Sequence, residues 1–135
     1  MKHVIVTGAN KGIGLAIVKR LLKEYPDVYV FLGSRDCFRG QAAIQEIISE
    51  LGSSVIDRVK FLQLDVTSDD SVKNAVEEIK RNMGGNSSIL YGLVNNAGGT
   101  SNEMTGQQVV DLNMYGVRRV TEAFLPFIED KGTIL

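Results

Sequence analysis

Three glycines near the N-terminus are spaced so that the chain could bind a phosphate group. They are Gly8, Gly12 and Gly14 in the segment "TGANKGIG", which follows a short β-branched run. Gly8 permits a tight turn, Gly12 lets the backbone approach a pyrophosphate without a Cβ in the way, and Gly14 lets a helix lie close to a sheet. The free N–H groups of that helix then face the phosphates. An ordinary strand-to-helix turn is the alternative, but this pattern between a strand and a helix favours nucleotide binding.

A basic cluster follows the glycines by about 20 residues, where dinucleotide-binding proteins recognise the adenosine ribose. NAD-binding proteins place a carboxylate there to accept from the 2′-hydroxyl, whereas this chain has Ser34 and Arg35. Guanidinium groups at Arg35 and Arg39 suit a 2′-phosphate, and Ser34 and Lys11 could add donors. The sequence therefore predicts NADP(H). Two alternatives stay open: the arginines are ordinary solvated charges, or Asp36 is the ribose acceptor of NAD(H), the less favoured cofactor.

Four short apolar runs predict the strands that carry these residues, near 3–7, 28–33, 59–64 and 89–95. Each run is apolar on both faces, which is typical of a parallel sheet covered by helices. Right-handed crossovers favour the strand order 3-2-1-4, with Thr133–Leu135 beginning a fifth strand beside the fourth. The predicted fold class is α/β, a doubly wound parallel sheet (Rossmann fold), truncated at the start of the fifth strand.

Helical segments alternate with the predicted strands. A spacing of four predicts that one face of the first helix is buried through Ile13, Ile17, Leu21 and Tyr25. Thr67 and Asp70 are spaced like a capping box for the third helix, which Gly84–Gly85 would close. The last helix is predicted to run from about 106 to 129, with Pro126 kinking it or ending it early.

Composition excludes several classes of function. The formal net charge is −1, from 15 basic and 16 acidic residues, so no overall field recruits nucleic acid or an anionic membrane. A single cysteine, Cys37, excludes an internal disulfide, and with His3 as the only histidine we expect no metal site. The apolar run near the N-terminus is too short for a signal peptide, and no run approaches the roughly 20 residues that span a bilayer. We therefore expect a cytoplasmic protein.

Three further segments resemble those of a known protein family. They are "LDV" at Leu64–Val66, "NNAG" at Asn95–Gly98, and "DLNMYG", which contains Asn113. With the glycine segment, they resemble the short-chain dehydrogenase/reductase family over essentially all 135 residues. The segments "TGANKGIGLAIV" and "SRDCFRGQAA" resemble its NADPH-dependent carbonyl reductase branch.

The resemblance implies roles for these residues. The Asp65 carboxylate would meet the exocyclic amine of adenine, and the asparagines of "NNAG" would tie the sheet together beside the cofactor. Asn113 is the one candidate catalytic residue, whose main chain in the family helps to hold a proton-relaying water. The candidate cofactor-binding residues are Gly8, Asn10, Lys11, Gly12, Ile13, Gly14, Ser34, Arg35, Arg39, Asp65, Val66, Asn95, Ala97 and Gly98.

The rest of the family's catalytic apparatus has no counterpart in this sequence. The resemblance implies a serine after the fifth strand and a Tyr-x-x-x-Lys motif, and none of the four tyrosines has a lysine four residues on. Tyr115 comes nearest, with Arg119 at that spacing. The 16 residues between Asn96 and Asn113 are also fewer than the family usually has, so the height of Asn113 on its helix stays open.

Residues 1–135 are therefore predicted to be one incomplete dinucleotide-binding domain, whose C-terminal catalytic part would lie beyond Leu135. The expected function is reduction of aldehydes, ketones or quinones with NADPH, with a small carbonyl substrate as partner of the full-length protein. The alternative is a non-catalytic NADP-binding or interaction module. In either case we expect this chain alone to be inactive as a reductase, and to self-associate through exposed strand edges and apolar patches.

Overall fold

A five-stranded parallel sheet forms the centre of the molecule in the computed structural model, which describes residues 1–84 and 89–135. The strand order is β3-β2-β1-β4-β5, and every neighbouring pair is parallel. This confirms the predicted order and fold class. The strands are β1 (Lys2–Val6), β2 (Val28–Ser34), β3 (Val59–Gln63), β4 (Leu90–Val94) and β5 (Ile128–Ile134).

Helices cover both faces of the sheet, with two buried apolar clusters between them and the strands. One cluster lies under the first two helices and the other under the third and fifth. The helices are α1 (Gly12–Glu24), α2 (Cys37–Leu51), α3 (Asp69–Asn82), α4 (Gly106–Val110) and α5 (Gly116–Phe124). A π-helical segment, Asp111–Tyr115, joins α4 to α5, and 3-10 turns cover Ser53–Arg58 and Leu125–Phe127. Among the described residues, none of these helices is long and apolar enough to cross a membrane.

The end of the last helix differs from the prediction of one helix over 106–129. The helix ends at Phe124, because Pro126 lacks an N–H and would clash with the preceding turn, and a 3-10 turn takes its place. Strand β5 consequently begins at Ile128 rather than at Thr133. Its regular pairing with β4 nevertheless starts at Thr133, opposite Gly92, after a register shift that accommodates the extra residues.

The buried face of α1 also differs from the predicted stripe. Ile13 is 75% exposed and Tyr25 is 51% exposed. The helix fully buries Gly14, Leu15, Val18 and Leu22, while Ile17 and Leu21 of the predicted stripe are partly buried against the same cluster. The sequence offers apolar residues on two adjacent stripes of this helix, and spacing alone does not show which of them faces the sheet.

Helix α3 begins one residue later than the capping-box pattern predicted. The Ser68 side chain accepts the hydrogen bond from the Ser71 N–H (3.1 Å). Thr67 donates to Asp65 instead, through both its N–H and its hydroxyl. At the other end, Met83 caps the helix and Gly84 follows with φ +69°, while the predicted closing residue Gly85 lies outside the described residues.

Candidate functional site

The glycine segment lies at the carboxyl end of β1, where open α/β sheets bind ligands. Gly8 and Gly12 both have φ +59°, in the left-handed region that favours glycine. A Cβ at Gly14 would lie 2.4 Å from Asn96 Nδ2 and 2.5 Å from the Gly8 carbonyl oxygen. A Cβ at Gly12, by contrast, would meet nothing within 4 Å. The chain therefore needs Gly14 for its own packing, and Gly12 faces open space through which a ligand could approach.

The N-terminus of α1 differs from those of α2, α3 and α4. The latter three are capped by the side chains of Asp36, Ser68 and Thr105. Lys11, at the N-cap of α1, makes no side-chain capping bond in the described structure. The first N–H groups of α1 therefore keep their donor capacity for an anion, as the pyrophosphate of a dinucleotide requires.

Thr7 holds the glycine segment against the loop after β4. Its hydroxyl oxygen accepts from the N–H groups of Asn96 (3.0 Å) and Ala97 (2.9 Å), and its side chain is almost fully buried. In return, Asn96 Nδ2 donates to the carbonyl oxygens of Thr7 and Gly8, both at 3.1 Å. Thr7 is not among the predicted site residues; the signal that could have found it is a small hydroxyl residue directly before the first glycine.

Asn95 connects the same loop to α5 and to the end of β5. Its Nδ2 donates to Thr121 Oγ1 on α5 (3.1 Å), and its N–H donates to the Leu135 carbonyl oxygen (2.8 Å). Ala97 lies against Gly8, since a Cβ on that glycine would come within 2.8 Å of Ala97 Cα. The two asparagines thus connect β1, β4, β5 and α5 beside the glycine segment.

The Asp36 carboxylate at the end of β2 serves the start of α2. Its Oδ1 accepts from the Arg39 N–H (2.9 Å), and Oδ2 lies 3.9 Å from Arg39 Nε. Ser34 is buried, and its hydroxyl donates to the Asp36 carbonyl oxygen (3.1 Å) and accepts from the Asp36 N–H (3.3 Å). Ser34 therefore shapes this turn, while the Arg35 and Arg39 side chains are exposed around it.

A groove of about 380 Å³ lies between the glycine segment and α2. It brings together Lys11 and Arg39, two of the cations predicted to bind a 2′-phosphate. Neither Ser34 nor Arg35 lines it. Glu46, which does, is paired with Lys19 at 2.8 Å, so its charge is countered from outside the groove. The groove is lined by Asn10, Lys11, Arg39, Ala42, Ala43 and Glu46.

Asp65 follows β3 and is held by its own loop. Its Oδ1 accepts from the N–H (3.0 Å) and the hydroxyl (2.6 Å) of Thr67. Its N–H donates to Ser71 Oγ (2.8 Å), and that hydroxyl donates to Gln63 Oε1 (2.8 Å). Val66 is buried beside it. The predicted adenine contact is thus a fixed, partly exposed carboxylate at the carboxyl edge of the sheet.

Asn113 lies in the π-helical segment, and its side chain binds the loop after β4. Its Oδ1 accepts from the Gly99 N–H (2.8 Å), and its Nδ2 donates to the Gly99 carbonyl oxygen (2.6 Å). The neighbouring Tyr115 is 42% exposed, but the guanidinium of Arg119 binds Val66 and Asp69. Asn113 is therefore next to the loop that contains Ala97 and Gly98, and the hydrogen bonds of Arg119 go to Val66 and Asp69.

A parallel sheet with this strand order, an uncapped helix behind a glycine turn and polar loops at one edge defines a dinucleotide-binding protein. Comparison with known proteins gives the family. The short chain dehydrogenase family model matches residues 2–135. The chain therefore belongs to the short-chain dehydrogenase family of oxidoreductases.

Its relatives include dehydrogenases and reductases. Over 99% of its length the chain is 36% identical to mitochondrial D-beta-hydroxybutyrate dehydrogenase of Bos taurus, covering 40% of that protein. Over 98% of its length it is 36% identical to carbonyl reductase 1 of Homo sapiens, whose name specifies NADPH, covering 47% of that protein. Among solved structures, menthone neomenthol reductase from Mentha piperita aligns with 98% of the chain at a TM-score of 0.85 and 31% identity, with 58% of its own length covered. The chain thus spans about half the length of the relatives it matches.

Proposed function

We propose that this chain is the cofactor-binding portion of an NADPH-dependent oxidoreductase that reduces aldehydes, ketones or quinones by hydride transfer. The choice of NADPH rests on the hydrogen bond that the Asp36 carboxylate accepts. This carboxylate caps α2 through the Arg39 N–H, and its other oxygen lies 3.9 Å from Arg39 Nε, so its charge is engaged at the start of that helix. With this carboxylate engaged, the surrounding positive charge favours a 2′-phosphate.

Three cations support this choice. Lys11 and Arg39 line one groove, and Arg35 is exposed at the end of β2. A guanidinium binds a phosphate with two parallel hydrogen bonds, which makes Arg39 the principal candidate ligand. The names of the NADPH carbonyl reductases among the relatives agree with this proposal.

The chain's own residues would bind and orient the cofactor. The first N–H groups of α1 face the pyrophosphate, Gly12 leaves room for it, and Asp65 accepts from the adenine amine. The loop at Asn95–Gly98, fixed by Thr7, would support the nicotinamide end. Bound NADPH supplies the hydride; the resemblance implies that the proton comes from a tyrosine that these 135 residues do not contain.

Calorimetric titration of this chain with NADPH and NADH tests the proposal. NADPH is expected to bind more tightly, because a charge-assisted pair with the 2′-phosphate adds affinity of about tenfold or more. Arg39→Gln and Arg35→Ala should weaken NADPH and leave NADH nearly unchanged. Arg20→Ala is the matched control, since Arg20 is an exposed arginine that pairs with Glu24 on α1. Equal affinity for the two cofactors, or equal losses in the variants, would contradict the 2′-phosphate site.

A second candidate function is a non-catalytic NADP-binding or interaction module. It is favoured by the partners of Arg119, the cation four residues after Tyr115: its guanidinium donates to Asp69 and to the Val66 carbonyl oxygen. We expect the purified chain to bind NADPH without oxidising it in the presence of a simple quinone. Turnover that Tyr115→Phe abolishes would overturn this and make Tyr115 the proton donor. The cytoplasmic location and the self-association remain predictions, and the name of one relative specifies the mitochondrion.

A further inference from the structure

The loop that carries Asp65 is held from two sides. From α3, Ser71 Oγ accepts from the Asp65 N–H (2.8 Å). From α5, Arg119 Nη1 donates to the Val66 carbonyl oxygen (2.7 Å). The Arg119 side chain is only 26% exposed, and its Nε donates to Asp69 Oδ1 at the start of α3. The family resemblance gave Arg119 no role, and the proposed function does not use it.

One peptide group links Arg119 to the Asp65 carboxylate. The peptide between Val66 and Thr67 presents its carbonyl oxygen to Arg119 and its N–H to Asp65 Oδ1 (3.0 Å). Because a peptide group is planar and rigid, a rotation that released the carbonyl would also turn the N–H away from the carboxylate. A charged donor on the oxygen also polarises the group and strengthens the bond made by its N–H.

A glycine in α5, Gly116, allows the helix to approach this loop closely. A Cβ at Gly116 would lie 2.8 Å from Val66 Cγ2, so glycine is what lets the helix come this close. Arg119 lies three residues further on the same face of α5, and Asn113, in the preceding π-helical segment, holds the Gly99 backbone. Helix α5 and the segment before it therefore contact both loops that flank the proposed cofactor site.

We infer that Arg119 is a positioning residue for adenine recognition: through the Val66–Thr67 peptide it fixes the orientation in which the Asp65 carboxylate accepts from the adenine amine. The inference rests on the proposed binding of NADP(H). The inference goes beyond the proposed function because it assigns base selectivity to a residue that does not contact the base.

The test compares NADPH with reduced nicotinamide hypoxanthine dinucleotide phosphate, in which a carbonyl replaces the adenine amine. Calorimetric titration of the unaltered chain should show a preference for NADPH of about tenfold or more, as expected for a hydrogen bond to a charged acceptor. Arg119→Met should bring the preference to within about twofold, mainly by weakening NADPH. General loss of stability would weaken both ligands alike and leave this ratio unchanged.

Two further variants make the result specific. Arg119→Gln ends its side chain near the position of the arginine Nε, so it keeps a group beside Asp69 and loses the bond to Val66; it should lower the ratio as Arg119→Met does. Arg118→Met is the matched control, because Arg118 is 69% exposed and binds only Glu122 among the described residues. It should leave the ratio unchanged. If Arg119→Met fails to fold, Arg119→Gln decides the question alone.

The outcomes separate the inference from the proposed function. A chain that binds neither dinucleotide overturns both. A chain that binds NADPH but shows no preference for adenine overturns the inference and the proposed role of Asp65, while NADPH binding stands. A preference kept in the Arg119→Gln variant overturns the inference alone. A preference that is lost in the Arg119 variants and kept in Arg118→Met supports it.

Discussion

Asp36 and Asp65 occupy equivalent positions on neighbouring strands, yet their carboxylates have different partners. Each lies two residues beyond its strand, and the last residues of the two strands, Ser34 and Gln63, are paired in the sheet. Helix α2 begins directly after Asp36, so that carboxylate becomes its N-cap. Helix α3 begins four residues after Asp65 with Ser68 as its own cap, so Asp65 stays at the strand end.

The difference shows that the length of the loop decides what an acidic side chain at this edge can do. A helix that starts at the next residue takes the carboxylate as a cap for its N–H groups. A longer loop provides its own cap; Thr67 in that loop binds Oδ1 of Asp65, and Oδ2 has no hydrogen bond among the described residues, so a ligand can use it. In the proposed function, this distinction separates the 2′-phosphate side of the site from the adenine side.

The largest effect is expected from a change at the contact between the glycine segment and the loop after β4. In Gly14→Ala, the added methyl group would meet Asn96 Nδ2 and the Gly8 carbonyl oxygen at about 2.5 Å. We expect the free energy of unfolding to fall by about 3 kcal/mol, and cofactor binding to be lost. Urea unfolding followed by circular dichroism measures this. Ala16→Gly, on the exposed side of the same helix, is the control, with an expected loss of about 1 kcal/mol. A Gly14→Ala variant as stable as this control would contradict the packing described.

A smaller effect sharpens the comparison between the two caps. Asp36→Ala and Ser68→Ala each remove a side-chain acceptor from a helix N-terminus, and each should lower the free energy of unfolding by about 1 kcal/mol. Asp36→Asn and Ser68→Asn, which keep a side-chain oxygen at the cap, should cost less than the alanine variants. Chemical unfolding of the four variants under one condition gives the order. Alanine variants as stable as their asparagine counterparts would contradict the assignment of Asp36 and Ser68 as the caps.

The smallest effect concerns pH and involves His3, near the amino end of the central strand β1. Burial, and next the charge of the N-terminus, lower the pKa of His3. The unfolded chain therefore binds a proton more readily near pH 6.5 than the native chain does, so the contribution of His3 to stability is complete above about pH 6.5 and is lost as the pH falls through its native pKa. Unfolding curves across this range should show a steeper loss for the unaltered chain than for His3→Gln. Identical pH profiles would remove His3 as the cause.

The sheet order could be predicted because β-branched runs and right-handed crossovers leave few arrangements, as β1 to β4 illustrate. The end of the last helix was predicted less well. Pro126 indicated a break, but whether the chain then turned or continued depended on how Ile128 pairs with Leu90, which is a tertiary contact. The predicted buried face of α1 was wrong at its two ends, where Ile13 and Tyr25 are exposed, while Ile17 and Leu21 between them are partly buried against the core.

In the candidate site, too, local patterns could be recognised in the sequence and tertiary contacts could not. Local spacing was enough to find the glycines and the "NNAG" loop, whose contacts depend on the strand ends that carry them. The capping bond of Asp36 was not predicted because it depends on the residue at which α2 begins, although an aspartate directly before a helix is a capping signal. The bond from Arg119 to Val66 joins residues 53 positions apart, and no local pattern indicates it.

The most direct test of the contrast between Asp36 and Asp65 uses adenosine 2′,5′-bisphosphate, which carries the adenine, its ribose and the two phosphates of that half of the cofactor. Its binding to the unaltered chain, Asp36→Asn and Asp65→Asn can be measured by calorimetry, and asparagine caps a helix about as well as aspartate. The account predicts that Asp65→Asn weakens binding by about tenfold or more, while Asp36→Asn does not weaken it. Loss of binding in Asp36→Asn with full binding in Asp65→Asn would contradict it.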